Sequence, residues 1–211
     1  MSEQNDLPEG RPATGPGSRG RYPKGILRRQ QILDRAIEVF AEVGFEGASL
    51  RTLGEAIGVS HAALKRYFDS REELFLEVLR EKDRQAQEEA EGRSGDSLGL
   101  AESLEDYASK VPGLMALRHS MVARALELDN QLSREFFLDR YRKLREDTIH
   151  TLRLAREAGI VRKDIPLESA AALIVATLDG LSTQWLLDPK VNIHDSIVLL
   201  QDLLRPDLLT T

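Results

Sequence analysis

The chain has 211 residues, of which 41% are apolar and 30% are charged, and it contains no cysteine. This apolar share is ample for a packed core, so the composition excludes a wholly disordered chain. The lack of cysteine excludes disulfide frameworks and thiolate metal sites, which suits the cytoplasm, where we expect the protein to reside. The longest apolar run, residues 170–178, is shorter than the ~20 residues that span a bilayer, so no membrane segment is expected.

The formal net charge is −6, but the charges are unevenly distributed along the chain. Residues 11–71 hold 11 Lys and Arg against 6 Asp and Glu, whereas residues 72–211 hold 18 against 26. A basic segment joined to an acidic remainder is typical of a nucleic-acid-binding domain carried by a larger partner domain.

The first 22 residues are rich in Gly, Pro and Arg with few apolar residues, which predicts a disordered basic tail over 1–22. The cationic side chains of Arg11, Arg19, Arg21 and Lys24 would let this segment lie over DNA phosphates or in a minor groove. A solvated tail without a specific role is the alternative.

An amphipathic pattern predicts a first helix from about Gly25 to Val43, and Gly44 is placed to end it. Residues 50–68 then predict two short helices that meet at a corner. Ser49 and Ser60 are suited to cap their N-termini, and Gly58 suits the left-handed turn between them. Together these elements predict a three-helix, helix-turn-helix domain over residues 23–70. Its predicted core consists of Leu33, Ile37, Phe40, Phe45, Leu53, Ile57, Leu64 and Phe68.

Downstream, Ser70 and Glu73 form a capping-box pattern that opens a long helix towards Glu91. The pattern continues as helices, with no alternating strand pattern. These further helices are predicted over residues 98–110, 112–128 with a break near Leu117, 132–158, 166–187 and 193–204. We therefore expect an all-α protein whose residues 71–211 form an antiparallel helical domain.

The register of caps, turn and apolar positions resembles the N-terminal domain of TetR-family transcriptional regulators. The segments that carry the resemblance are ILDRAIEVFAEVGFEGASL (32–50), LRTLGEAIGVSHAALKRYF (50–68) and FDSREELF (68–75). The chain differs from the family pattern at Lys65, where an aromatic residue is usual, at Tyr67, where His is frequent, and at Gly54, where Ala is preferred. The resemblance implies a homodimeric regulator, usually a repressor, that binds a palindromic operator in double-stranded DNA and is released by a small apolar or amphipathic ligand.

The resemblance also assigns candidate DNA contacts. Thr52, Tyr67 and Arg71 match positions on the phosphate side, whereas His61, Ala62, Lys65 and Arg66 face or flank the base edges. Lys65 would hold a phosphate or reach a guanine. For Tyr67, a partly buried core ring is an equal alternative. The complete set of expected DNA-binding residues is Thr52, Ser60, His61, Ala62, Lys65, Arg66, Tyr67 and Arg71.

Two C-terminal helices carry patterns that suit a dimer interface. The helix over 166–187 combines small and apolar residues on several sides, and the helix over 132–158 carries apolar residues three and four apart. Such a pair would form a four-helix bundle with its two-fold mate, as in the family. Burial in the protomer's own core is the alternative. The residues predicted to form the interface are Tyr141, Leu144, Leu152, Ala172, Ala176 and Gly180.

The predicted ligand site is a group of polar, aromatic or polarisable residues in the C-terminal helices. Asp179 is the most informative of them, because a carboxylate in an apolar helix needs a partner, a path to solvent or a ligand. Pairing with Arg or Lys within the dimer is the alternative for this residue. The candidates are Tyr107, Met115, His119, Met121, Phe136, Phe137, Asp179, Gln184 and Trp185.

The sequence contains no pattern that indicates catalysis. Its four histidines, at positions 61, 119, 150 and 194, contain no pair spaced for zinc, and no nucleophile-elbow, phosphate-loop or dinucleotide-binding motif is present. We therefore expect no catalytic residues, no metal and no cofactor. Two rivals to the DNA-binding hypothesis remain: an all-α protein-interaction module, and a helical small-molecule-binding protein or enzyme that does not bind DNA.

Overall fold

A computed structural model of the chain describes residues 21–91 and 113–206, and every regular element in these two ranges is a helix. The predicted helix over 98–110, the candidate Tyr107 and the tail up to residue 20 lie outside the described residues. The helices are α1 (Arg21–Gly47), α2 (Leu50–Ile57), α3 (His61–Leu64), α4 (Arg71–Glu91), α5 (Leu114–Ala125), α6 (Gln131–Glu157), α7 (Leu167–Leu187) and α8 (Ile193–Leu203). The all-α fold class is confirmed.

Helix α1 begins at Arg21, earlier than the sequence predicted, so residues 21 and 22 belong to it and not to the tail. Gly44 interrupts the helix with φ 69° and ψ −178°, a conformation that a residue without Cβ adopts most easily. The last residues of α1 therefore turn away from its axis. This kink places Phe45 and Ala48 in the core beneath the helix-turn-helix.

The corner between α2 and α3 has the predicted local structure. The Ser49 hydroxyl accepts a hydrogen bond of 3.0 Å from the Thr52 N–H, and the Ser60 hydroxyl accepts one of 3.1 Å from the Ala63 N–H. Gly58, with φ 73° and ψ 35°, ends α2 in the left-handed conformation. These caps satisfy backbone groups that the ends of short helices would otherwise leave unpaired.

One hydrophobic core joins the N-terminal helices to the C-terminal half. It contains the predicted head residues, with Ile57 at its partly buried edge, and continues through α4 into α5 and α6. Leu114, Leu117 and Met121 of α5 are each at most 1% exposed in this core. The head therefore shares its core with the C-terminal half, and the domain boundary at residue 70 stays a prediction.

The remaining helices form the C-terminal layer. Helix α5 runs unbroken through Leu117, where the sequence predicted an interruption, because Leu117 is fully buried between neighbouring helices. Helices α6 and α7 make the most extensive pairing in the described residues, and α8 packs on α7. A second core lies around Leu152 and Ile174, and a third small cluster lies around Met115 and Ile197.

Helix α7 is, among the described residues, long and apolar enough to be compared with a membrane span. Only 22% of its most apolar stretch is buried within the protomer. Its inward side nevertheless packs on α6 and α8, and it carries Asp179 in hydrogen-bonding contact with Tyr141. A core helix of a water-soluble assembly meets the same criterion, so this feature is weak evidence for a membrane. The low burial of this apolar helix does show that α7 carries an exposed apolar surface.

Candidate functional site

The outer surface of the helix-turn-helix carries the residues that the sequence predicted to face DNA. The Ser60 side chain caps the N-terminus of α3, and His61 and Ala62, in the first turn of that helix, are exposed. Leu64 is fully buried and anchors α3 to the core. One side of this short helix is therefore packed on the core, and its other side presents exposed residues in a fixed orientation.

The residues after Leu64 continue as a turn that ends at Phe68. The Tyr67 N–H and the Phe68 N–H each donate to the Leu64 carbonyl oxygen, at 2.9 and 3.0 Å. Lys65 and Arg66 are exposed on this turn, and Tyr67 is 37% exposed beside the Phe68 ring. Two cations and a phenol thus lie next to His61 and Ala62 on one surface.

Helix α2 contributes a residue that the sequence analysis missed. Arg51 has 84% of its side chain exposed and forms a 3.0 Å ion pair with Glu55 one turn later. Together with Ser60 and His61, these two residues line a shallow depression between α2 and α3. The outward position of Arg51, directly after the inward Leu50, was the signal available in the sequence. Thr52, predicted as a phosphate contact, is half-buried and bonded to the Ser49 hydroxyl.

Arg71, at the start of α4, is held against the head. Its Nη1 donates a 2.9 Å hydrogen bond to the Phe45 carbonyl oxygen, and its guanidinium carbon lies 4.3 Å from the centre of the Phe45 ring. One half of the predicted capping box forms, since the Ser70 hydroxyl accepts from the Glu73 N–H at 3.0 Å. The carboxylate of Glu73 accepts from the Asp69 N–H at 2.5 Å. The half-buried Arg71 therefore occupies a defined position.

The predicted ligand-site residues do not form a single group. Met121, Phe136 and Phe137 are buried in the core shared with the head. Met115 and Trp185 belong to the small cluster between α5, α7 and α8, and Gln184 is exposed. His119 and Asp179 both contact the Ser182 hydroxyl, His119 through its Nε2 and Asp179 through its backbone carbonyl oxygen, each at 2.9 Å.

Those two residues belong to a polar cluster between α5, α6 and α7. The Tyr141 hydroxyl donates to the Asp179 carboxylate at 2.6 Å, and Arg118 lies 3.9 Å from the same carboxylate. The hydroxyl of Ser182 lies 2.9 Å from His119 Nε2 and accepts from Arg118 at 3.3 Å. Asp179 is thus partnered within the protomer by Tyr141 and Arg118, whereas the alternative interpretation placed an Arg or Lys partner within the dimer.

Burial is the main cause of the shifted pKa values of His119 and Tyr141. Desolvation, with a smaller repulsion from the Arg118 charge, lowers the pKa of His119 below its usual range. Desolvation, together with the hydrogen bond to Asp179, raises the pKa of Tyr141 to about 12. At neutral pH the Tyr141 phenol is therefore intact and donates its proton to the hydrogen bond with Asp179.

The predicted dimer residues also divide between two environments. Leu152 is 0% exposed in the second core, so it offers no surface to a partner, and the Tyr141 hydroxyl is bonded internally to Asp179. Ala172 and Ala176 are exposed on the outer side of α7, beside Leu173, which is 65% exposed. Leu144 and Gly180 are half-buried.

Two family models match the chain. The model of bacterial regulatory proteins of the tetR family matches residues 32–78, and the model of the BetI-type transcriptional repressor C-terminal domain matches residues 109–204. The HTH-type transcriptional repressor AcnR of Corynebacterium diphtheriae is 32% identical over 160 residues, which cover 73% of this chain and 78% of that protein. The chain therefore belongs to the TetR family. It is a helix-turn-helix, DNA-binding transcriptional repressor.

Solved structures share the fold. FadR from Bacillus subtilis in complex with stearoyl-CoA superposes with a TM-score of 0.63 at 21% identity, covering 84% of this chain and 97% of that one. A regulator from Saccharomonospora viridis in complex with choline gives a TM-score of 0.71 at 20% identity, covering 84% and 95%. The similarity extends over both halves of the described chain.

Proposed function

We propose that this repressor binds a palindromic operator as a homodimer in the cytoplasm and releases it when a small apolar or amphipathic molecule occupies the C-terminal domain. The observation that carries the proposal is the joint exposure of His61, Ala62, Lys65 and Arg66 on a helix-turn-helix whose opposite side is fully buried. A rigid support of this kind fixes which side chains enter a groove.

The roles of the DNA-facing residues follow from their positions. His61, Ala62 and Arg66 read base edges, and Lys65 lies at the boundary between base and phosphate. Arg51 is added to this set, because it borders the same depression as Ser60 and His61. Thr52, Tyr67 and Arg71 contact phosphates and fix the register of the head on the duplex.

A dimer is supported by the apolar surface of α7. A helix this apolar with so little burial in its own protomer exposes a surface that a second protomer would remove from water. Ala172 and Ala176 lie on that surface, where small side chains allow helix axes to approach closely. Two linked heads are also needed for useful specificity, since one short recognition helix covers few base pairs.

An effector-binding C-terminal domain is supported by the fold that the chain shares with regulators solved with stearoyl-CoA and with choline. The cluster of Arg118, His119, Tyr141 and Asp179 draws on α5 and α7, as does the apolar cluster around Met115 and Trp185, so polar anchors and an apolar wall come from the same helices. Such a combination suits an amphipathic molecule.

The decisive experiment is selection of bound DNA from a random library by the purified protein at near-physiological salt. An enriched palindrome whose affinity falls steeply with added salt would support the proposal. If the folded, dimeric protein enriched no sequence, either a ligand would be required for binding or the interaction-module alternative would be favoured. Thermodynamic linkage provides the test of release. If the ligand weakens operator binding by a given factor, operator binding must weaken ligand affinity by the same factor.

A further inference from the structure

Phe45, in the turn after Gly44, is contacted by arginines from two different parts of the fold. The guanidinium carbon of Arg71 lies 4.3 Å from the centre of the Phe45 ring, and that of Arg124, at the C-terminal end of α5, lies 5.1 Å from it. Phe45 itself is 9% exposed and packs on Phe75 at 5.7 Å between ring centres. One fixed ring therefore receives a cation from the DNA-facing end of α4 and a cation from the C-terminal half.

The neighbour of Arg71 makes a second connection to the same region. Glu72 lies 3.8 Å from the Arg124 guanidinium and accepts a hydrogen bond from the Ser133 hydroxyl, in the first turn of α6. Ser133 is in turn fixed by Asn130, whose side chain accepts from its N–H at 3.2 Å. The first two residues of α4 are thus bound on one side to Phe45 and on the other to α5 and α6.

Arg124 is the residue that links these contacts. Its side chain is 30% exposed, and its Nε is buried without a hydrogen-bond partner among the described residues. The group is therefore held mainly by the Phe45 ring and by the carboxylates of Glu72 and Glu127, the latter 3.4 Å away. Loss of the Arg124 charge would leave Glu72 without its cationic neighbour and one side of the Phe45 ring without a contact.

We propose that Arg124 is a positioning residue for DNA binding, which acts through Phe45 and Glu72 to hold the Arg71 guanidinium where it meets the DNA backbone. This inference rests on the phosphate-contacting role proposed above for Arg71. Arg124 makes no contact with DNA in this scheme. A movement of α5 relative to the head would alter the Arg71 position through the same contacts, which gives the C-terminal half a direct means of acting on one phosphate contact.

The test is a double-mutant cycle measured as operator affinity at several salt concentrations. Arg124→Gln alone is expected to weaken operator binding about 3- to 30-fold, in line with residues that act on a site through their neighbours. In an Arg71→Ala background the same substitution is expected to change affinity less than about twofold, since the group it positions is gone. Additive losses would overturn the proposal.

Salt dependence separates positioning from a general loss of folded protein. Each phosphate contact contributes about 0.9 to the slope of log affinity against log salt concentration, so Arg71→Ala lowers that slope. Arg124→Gln is expected to lower it as well, whereas a variant that only reduces the folded fraction leaves it unchanged. Arg124→Lys keeps the charge and is expected to recover most of the affinity. Arg142→Gln, which removes an exposed arginine of α6 paired with Asp139, is the control for loss of one positive charge.

If Arg124→Gln folds poorly, Glu72→Gln changes the same cluster and must show the same lack of additivity with Arg71→Ala. If the wild-type protein binds no operator, the positioning claim is tested in the free protein by NMR. The Arg71 side-chain signals, shifted by the Phe45 ring, must move in Arg124→Gln and not in Arg142→Gln, and unchanged signals would overturn the inference independently of the DNA-binding proposal.

Discussion

The Tyr141 hydroxyl donates a 2.6 Å hydrogen bond to the Asp179 carboxylate, joining the middle of α6 to the middle of α7. The sequence assigned these two residues to different sites, Tyr141 to a dimer interface and Asp179 to a ligand pocket. Arg118 approaches the same carboxylate at 3.9 Å and is itself only 7% exposed. The charge of Asp179 is therefore compensated within one protomer.

Removing the phenol hydroxyl tests this contact. Tyr141→Phe is expected to lower the free energy of unfolding by about 1–2 kcal/mol, because the carboxylate loses a donor in a half-buried position. Denaturant titration of the purified protein measures the loss. In the wild-type protein, ultraviolet titration should show one tyrosine with a pKa of about 12 that disappears in the variant. Tyr67→Phe, at an exposed ring, is the control, and equal losses in both variants would contradict the assignment.

His119 is expected to make stability depend on pH in the acidic range. Its pKa is lowered in the folded protein, first by burial and then by Arg118, while Asp179 acts in the opposite direction. Below the ordinary histidine pKa of 6.5, the unfolded chain therefore binds more protons at this position, and stability falls as the pH drops towards the folded-state value.

His119→Gln should reduce that acid-side loss, measured as the unfolding midpoint between about pH 7.5 and about pH 5. His150→Gln, at an exposed histidine of α6, serves as the control. An unchanged pH profile in His119→Gln would mean that other groups cause the acid sensitivity.

The DNA-facing residues should separate into two kinds by their effects. Arg71→Ala is expected to weaken binding to all DNA about equally and to lower the salt slope, since a phosphate contact carries no sequence information. Arg66→Ala and His61→Ala should instead relax the preference at individual base pairs, by about 1–3 kcal/mol each. Binding to a panel of single-base operator variants measures both effects. Uniform losses in all three proteins would show that the base-reading surface lies elsewhere.

A charge on the outer surface of α7 should weaken the dimer. Ala176→Glu places a carboxylate where a second protomer would bury it, and an unpaired buried charge costs about 3 kcal/mol or more. The dimer dissociation constant should then rise on the order of a hundredfold, as measured by light scattering over a dilution series. Ala86→Glu, at an exposed position of α4, should leave it unchanged. A dimer that tolerates Ala176→Glu would place the interface on another surface.

Substitution of Gly54 tests how closely α2 packs against the turn between α2 and α3. A Cβ at this position would lie 2.7 Å from the Val59 carbonyl oxygen, a backbone atom that cannot move without disturbing the corner. Gly54→Ala is therefore expected to lower the melting temperature, despite the gain of about 1 kcal/mol in helix propensity. In Gly25→Ala, where a Cβ meets nothing within 4 Å, the propensity gain should appear as increased stability. A more stable Gly54→Ala protein would mean that the Val59 backbone relaxes.

The sequence determined the local structure of the head. Ser49, Gly58 and Ser60 predicted two caps and a left-handed turn, and all three occur, because capping and backbone conformation depend on residues within a few positions of one another. The boundaries of α6, α7 and α8 followed equally well from apolar spacing and from Pro166, which precedes α7.

The tertiary structure decided which side of each long helix faces inward and what meets it there. An apolar pattern marks Leu152 for burial but does not distinguish the protomer's own core from a partner, and it is the protomer that buries it. Similarly, only the packing of α5 on the head places Met121 in a core shared with the DNA-binding helices and brings Arg124 to Phe45. Contacts between residues distant in sequence depend on how whole helices pack, and that information is spread over the entire core.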